Sequence, residues 1–178
     1  MNENNYIEDT YGIRCQSLGI SLDIFQHLPV LRKYAEECDT IVEFGVRLAN
    51  STIAFLSTKP KKMISIDIQR EFEDIIDEIS AATKETNIDY TFILADSRTF
   101  NIPETDLLFI DTEHTAEQLR AELLNAAHKV KKYMIFHDTV TFPELYPVLV
   151  DEFLPEHPEW TIKEHLTNNN GLTVLMRI

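Results

Sequence analysis

The chain has 178 residues, enough for one ordinary domain that buries about 70% of its unfolded surface. With 44% hydrophobic and 26% charged residues it has the composition of a soluble globular protein, and no apolar run approaches the length of a membrane span. Its 30 acidic residues against 16 basic ones, a formal charge of −14, weigh against nucleic-acid and anionic-membrane partners and favour cationic ligands.

The opening residues, MNENNYIEDTYG, are acidic and polar, unlike a secretory signal. Cys15 and Cys38 fit neither a metal spacing nor a disulfide framework, so a reducing, cytoplasmic setting is expected. Residues 1–39 read as a helical preface broken by Pro29, within a single domain spanning 1–178. From residue 40 onward, strand-length apolar runs alternate with helix-period segments. TIVEF (40–44) precedes a helix near 50–58. MISID (63–67) precedes a helix over 71–86, with Phe72, Ile75, Ile76, Ile79 and Ala82 as its apolar stripe. YTFILAD (90–96) leads into a loop bearing Pro103. DLLFID (106–111) precedes a helix over 115–130, with Leu119, Leu123, Ala127 and Val130 on one face. YMIFHD (133–138) precedes a proline-bounded helix near 143–154. WTIKEHL (160–166) and LTVLMRI (172–178) flank TNNNG, a hairpin signal. Alternating strands and helices predict an α/β protein with a mostly parallel sheet covered on both faces, and the final hairpin adds one antiparallel strand.

Five of these strands end on or near a carboxylate: Glu43, Asp67, Asp96, Asp111 and Asp138. Ligands of open α/β sheets bind outside the carboxyl ends of the strands. Each acid alone could cap the following helix; five together predict an acidic, concave site. The first crossover, VEFGVRLANST, holds only Gly45, with Arg47 and Ala49 where a dinucleotide-binding loop would carry further glycines. Cradling of a pyrophosphate is therefore disfavoured. Asp67 is placed to accept from a ribose diol, and Asp96 and Ser97 to flank an adenine ring.

VEFGVRLANST, ISID, LADS, FIDTEHT and IFHDT occur in the order and spacing of class I S-adenosylmethionine-dependent methyltransferases. The chain most resembles the metal-dependent small-molecule O-methyltransferases, including the cephalosporin hydroxylase-like and macrolide-sugar O-methyltransferase branch. FIDTEHT resembles that branch's F-I-D-G-D-H-[ST], with Thr112 and Glu113 replacing Gly and Asp, and Ala49 stands where a glycine is common. The resemblance covers residues 40 to about 140, and the terminal hairpin fits the family's antiparallel seventh strand.

The resemblance implies a doubly wound, mostly parallel seven-stranded sheet of the Rossmann-like methyltransferase type. It implies S-adenosylmethionine as cofactor, with Glu43, Gly45, Ser51, Asp67, Asp96, Ser97 and Asp111 as its binding set. It also implies a divalent metal at Asp111, His137 and Asp138, Mg²⁺ or, given the imidazole, Mn²⁺. His114 matches the family's general base, and a bound cation would lower its pKa. The expected partner is a hydroxylated small molecule, and a homodimer is a candidate state. Two alternatives stay open: a non-catalytic ligand-binding or regulatory protein on the same fold, and a nucleotide-cofactor oxidoreductase. His27, His128, His157 and His165 read as structural or surface groups; Tyr6, Tyr11, Phe142 and Tyr146 are candidates for lining a substrate pocket, with packing the preferred reading for each.

Overall fold

The computed structural model describes residues 6–16, 23–70 and 72–178. Five parallel strands, β1 (Thr40–Phe44), β2 (Lys62–Asp67), β3 (Asp89–Leu94), β4 (Thr105–Ile110) and β5 (Val130–His137), join β6 (Trp160–Leu166) and β7 (Leu172–Arg177) in one sheet. Its order is β3-β2-β1-β4-β5-β7-β6, and β7 runs antiparallel to both β5 and β6. The helices are α1 (Tyr6–Cys15), α2 (Leu28–Ala35), α3 (Asn50–Leu56), α4 (Glu73–Lys84), α5 (Ala116–Ala126), α6 (Leu145–Pro147) and α7 (Leu154–Glu156). The expected seven-stranded, doubly wound fold is the one observed. No helix among the described residues is long and apolar enough to cross a membrane.

The central strands are Ile-, Val-, Leu- and Phe-rich because both their faces are covered. On one face Ile41, Met63, Leu107, Phe109 and Ile135 pack against Leu31, Ile53, Phe55 and Ile76 from α2, α3 and α4. On the other Val42, Phe44, Ile66, Leu108 and Phe136 pack against Leu119, Leu123, Val148 and Phe153. All seven residues of α3 are buried, and its polar first turn is satisfied within the fold, Ser51 and Thr52 by Glu43 and Asn50 by Arg14.

Several boundaries differ from the sequence expectation. Pro29 sits in the first turn of α2, where its missing N–H costs nothing, so it starts a helix rather than breaking one. Helix α5 stops at Ala126, and Val130 begins β5; a valine suits a helix face and a strand equally. Phe72 leaves the apolar stripe of α4: it adopts φ 54° before the first turn and is 48% exposed. The helix expected near 143–154 widens to π geometry over Val148–Phe153, between Pro147 and Pro155, which cannot donate to a regular ladder. In TNNNG, Asn169, Asn170 and Gly171 all take positive φ, and a Cβ on Gly171 would lie 2.6 Å from the backbone nitrogen of Val140.

The sheet order reverses at β1 and β4, the switch point at which a crevice opens in such folds. There Asp111 N donates to Phe44 O at 2.9 Å, so the ends of the two strands are locked together.

Candidate functional site

A cleft of about 310 Å³ lies at the switch point, walled by Gly45–Arg47, Ile66–Gln69, Ala95–Arg98, Asp111–Glu113 and Gln118. It therefore gathers the ends of β1, β2, β3 and β4. Of the cofactor-binding set, Gly45, Asp67, Asp96, Ser97 and Asp111 line this cleft. A Cβ on Gly45, whose φ is +84°, would sit 1.8 Å from Asp111 O, so only glycine fits between the strands. Arg47 and Ala49 adopt φ 43° and 56°, conformations that glycine takes without strain. Asp67 fastens this loop: its Oδ2 accepts from Val46 N at 2.8 Å and Arg47 N at 3.3 Å, and its Oδ1 from Gln69 N at 2.9 Å. Asp96 is paired with Arg98 two residues on, at 2.7 Å.

Glu43 and Ser51 sit apart from that cleft. The Glu43 carboxylate is fully buried and accepts from Ser51 Oγ at 2.5 Å, Thr52 Oγ1 at 2.7 Å and Ser65 Oγ at 2.6 Å. Ser51 lines a smaller, adjoining pocket of about 120 Å³. Burial pushes the Glu43 carboxyl up to about 7, against the pull of the three hydroxyls. A folded-state value above the ordinary 4.5 means the protonated form is favoured in the fold. That contribution is fully present below about pH 4.5 and is lost as pH rises through 7. Glu43→Gln should remove about 3 kcal/mol of pH dependence between pH 4.5 and 8. Urea unfolding of both proteins at pH 5 and 8 measures this, and an identical pH dependence in the two would refute it.

The second pocket also holds Asp111, His114 and Asp138. The chain reaches this arrangement locally through Thr115, whose extended backbone and side-chain oxygen, accepting from Gln118 N at 3.3 Å, start α5. His114 Nε2 then lies 2.7 Å from Asp138 Oδ2 and 3.4 Å from Asp111 Oδ1, its ring stacked on Phe142 with centroids 4.2 Å apart. His137 Nδ1 approaches the same two carboxylates at 3.5 Å and 3.4 Å. Asp138 holds φ 60°, a strained conformation for a residue with a Cβ and of the kind that concentrates at functional sites.

The electrostatics follow from this crowding. Burial lowers the pKa of both imidazoles, but the carboxylates outweigh it, pushing His114 up to about 9 and His137 up to about 10. Asp111 and Asp138 resist burial in turn and are held below the ordinary carboxyl range by the two histidines. The lowered His114 pKa expected beside a cation thus has its opposite in the protein alone.

Ligand atoms of Asp111, His114 and Asp138 all lie within 4.8 Å of one another. Asp138 Oδ1 and His137 Nδ1 are buried without a hydrogen-bond partner among the described residues, and such atoms are costly unless something satisfies them. Two carboxylates with an imidazole beside them fit a divalent cation, and a nitrogen donor suits Mn²⁺ or a softer ion better than Mg²⁺.

The structure adds residues the sequence reading passed over. His27, taken as structural, is fully buried edge-on to His137 at 5.4 Å, with neither nitrogen hydrogen-bonded among the described residues. Phe142, taken as packing, carries the His114 ring. Asn169, in the β6–β7 turn, brings its carbonyl within 3.2 Å of His137 Nε2, and its Oδ1 accepts from Gln26 N at 2.8 Å. Gln118, Glu122 and Asn125 form a polar stripe of α5 beneath the cleft. Their spacing of four and three residues beside Leu119 and Leu123 was the available signal.

No protein-family model and no curated sequence matches the chain. Solved structures match it throughout. An O-methyltransferase from Bacillus cereus in complex with SAH superposes with a TM-score of 0.67 at 12% identity, covering 100% of this chain and 91% of that one. A cofactor-bound protein from MTB gives 0.68 at 13% identity, covering 97% and 89%. A ribosomal protein L11 methylase from Lactobacillus delbrueckii subsp. bulgaricus gives 0.62 at 15% identity, covering 85% and 79%. The fold is therefore the Rossmann-like fold of class I methyltransferases.

Proposed function

We propose that this chain is an S-adenosylmethionine-dependent methyltransferase that transfers a methyl group to a hydroxyl of a small molecule with help from a divalent cation. One observation carries this reading. The 310 Å³ cleft and the 120 Å³ pocket share a wall made of Gly45, Val46, Arg47, Asp111 and Thr112, and the smaller one contains His114 and Asp138. A methyl donor in the first and an acceptor in the second would meet at Asp111. Neighbours of this fold in complex with SAH support the choice of cofactor.

The chain's own residues supply positioning, which provides much of the acceleration in such a displacement. The Gly45–Ala49 loop, fastened by Asp67, shapes the donor side. Asp111 and Asp138, with His137 beside them, are the residues that would hold the cation, which leaves His114 Nε2 free to take a proton. When bound, the ion would neutralise the two carboxylates that keep His114 protonated and acidify an acceptor hydroxyl. His114 Nε2 is then the atom that takes the acceptor's proton, and Phe142 holds the ring in the orientation for it. The net charge of −14 favours a small acceptor over a nucleic acid.

A binding-only reading draws on Asp67, whose two oxygens already accept three backbone N–H groups. Calorimetry with S-adenosylhomocysteine, with and without Mn²⁺ or Mg²⁺, tests the cofactor half. At 100 times its dissociation constant the ligand should stabilise the fold by about 2.7 kcal/mol. No binding at millimolar concentration would sink the proposal. Methyl transfer to a panel of hydroxylated small molecules, abolished by exhaustive chelation, separates enzyme from binding protein. Activity that survives chelation unchanged would remove the metal from the scheme.

A further inference from the structure

Glu122 has no part in the proposal above, yet α5 sets its carboxylate, with no solvent exposure, beneath the cleft. Ser97 Oγ donates to Oε1 at 2.6 Å and Gln118 Nε2 donates to it at 2.8 Å. Thr112 Oγ1 lies 2.9 Å from Oε1 and 3.1 Å from Oε2, and Gln118 Nε2 also reaches Ser97 Oγ at 3.2 Å. Ser97, Thr112 and Gln118 all line the 310 Å³ cleft. One turn further along the helix, Asn125 Nδ2 donates to Ser97 O at 3.0 Å and Phe100 O at 2.8 Å, so the loop that carries Ser97 is held in place.

The hydrogen inventory of this cluster is determined by the carboxylate. Burial raises the Glu122 carboxyl pKa against the pull of Ser97, Gln118 and Thr112; in the ionised form it only accepts, so each neighbour commits a proton to it. The Ser97 and Thr112 hydroxyl protons and one amide proton of Gln118 point at Glu122, and the second amide proton goes to Ser97. What remains available on all three residues is lone pairs: two hydroxyl oxygens and one amide carbonyl. A hydroxyl without such a partner rotates and offers either polarity.

We propose that Glu122 is a positioning residue that fixes this wall of the cleft as an array of acceptors, selecting a nucleobase whose facing edge bears an exocyclic amine, as adenine does, over one bearing a carbonyl. The inference rests on the cofactor reading above and adds a specificity mechanism to it. A carbonyl facing the same wall would meet only lone pairs, and its own acceptor would stay unsatisfied.

The test is calorimetry on the full chain at pH 8 with S-adenosylhomocysteine and S-inosylhomocysteine, in which the amine is replaced by a carbonyl. Wild type should bind the adenosyl compound about 10- to 100-fold more tightly. Glu122→Met keeps the length but removes the acceptor, which frees the Ser97 and Thr112 hydroxyls and one Gln118 amide proton, and should bring the ratio to within about threefold. Ser97→Ala removes one acceptor from the wall and should narrow the ratio too; it is the variant to read if Glu122→Met does not fold. A general loss of structure would weaken both ligands together and leave their ratio unchanged. Equal wild-type affinities, or variants that keep the wild-type ratio, would overturn the inference while leaving the cofactor reading standing. Failure of the adenosyl compound to bind at all would remove both.

Discussion

Gly45→Ala is expected to destabilise the protein by about 3–5 kcal/mol and to abolish binding of S-adenosylhomocysteine. The added Cβ would fall 1.8 Å from Asp111 O and 2.6 Å from its carbonyl carbon, a clash with backbone that no side-chain rotation relieves. The backbone cannot step aside cheaply, because Asp111 N is bonded to Phe44 O and Gly45 N to Ile66 O, each at 2.9 Å. The φ of +84° adds strain for any residue with a Cβ. Moving the two strand ends apart would also open the shared wall of the two cavities. Urea unfolding should show a lower midpoint with an unchanged slope. A variant as stable as wild type would mean that the β1–β4 contact is looser than described.

His114→Ala should lower turnover by about 10²–10⁴ while changing the affinity for S-adenosylhomocysteine only slightly. Its ring is on the acceptor side, 2.7 Å from Asp138 and stacked on Phe142, and it is absent from the walls of the donor cleft. The same variant has a second, activity-independent signature in the metal-free protein. The folded pKa of His114, about 9, lies above the ordinary 6.5. A raised value means that the contribution of His114 to stability is fully present below about pH 6.5 and is lost as pH rises through 9. Wild type should therefore lose stability across that window more steeply than His114→Ala. Parallel stability curves would show that the Asp138 contact does not form in solution. Turnover equal to wild type would remove His114 from the chemistry.

The order of elements and the acids at the strand tips were legible in the chain because they are local properties. Apolar runs of strand length mark buried strands, helical spacing marks faces such as Leu119 and Leu123, and a polar residue at a strand end is visible without knowing its neighbours. In the motif FIDTEHT, His114 comes to lie 3.4 Å from Asp111, because three residues across a turn into a helix leave few alternatives. Boundaries were less legible where a residue suits two states, as Val130 does, or where prolines spoil a helix ladder, as around Val148–Phe153.

Relations across the sheet were decided by the tertiary structure alone. Strand order brought Gly45 against Asp111, from positions 66 residues apart, and turned a weak single-glycine signal into a steric requirement. Packing sealed Glu43 among three hydroxyls within the fold and put Asp67 to work on its own loop, so two similar acids at strand ends received different environments. It also brought Asn169 and His27 against His137 and set Glu122 beneath the cleft wall that carries Ser97. Periodicity reports which face of an element is buried and is silent about which side chains from other elements arrive there. The pKa values and hydrogen-bond polarities of this site depend on those arrivals.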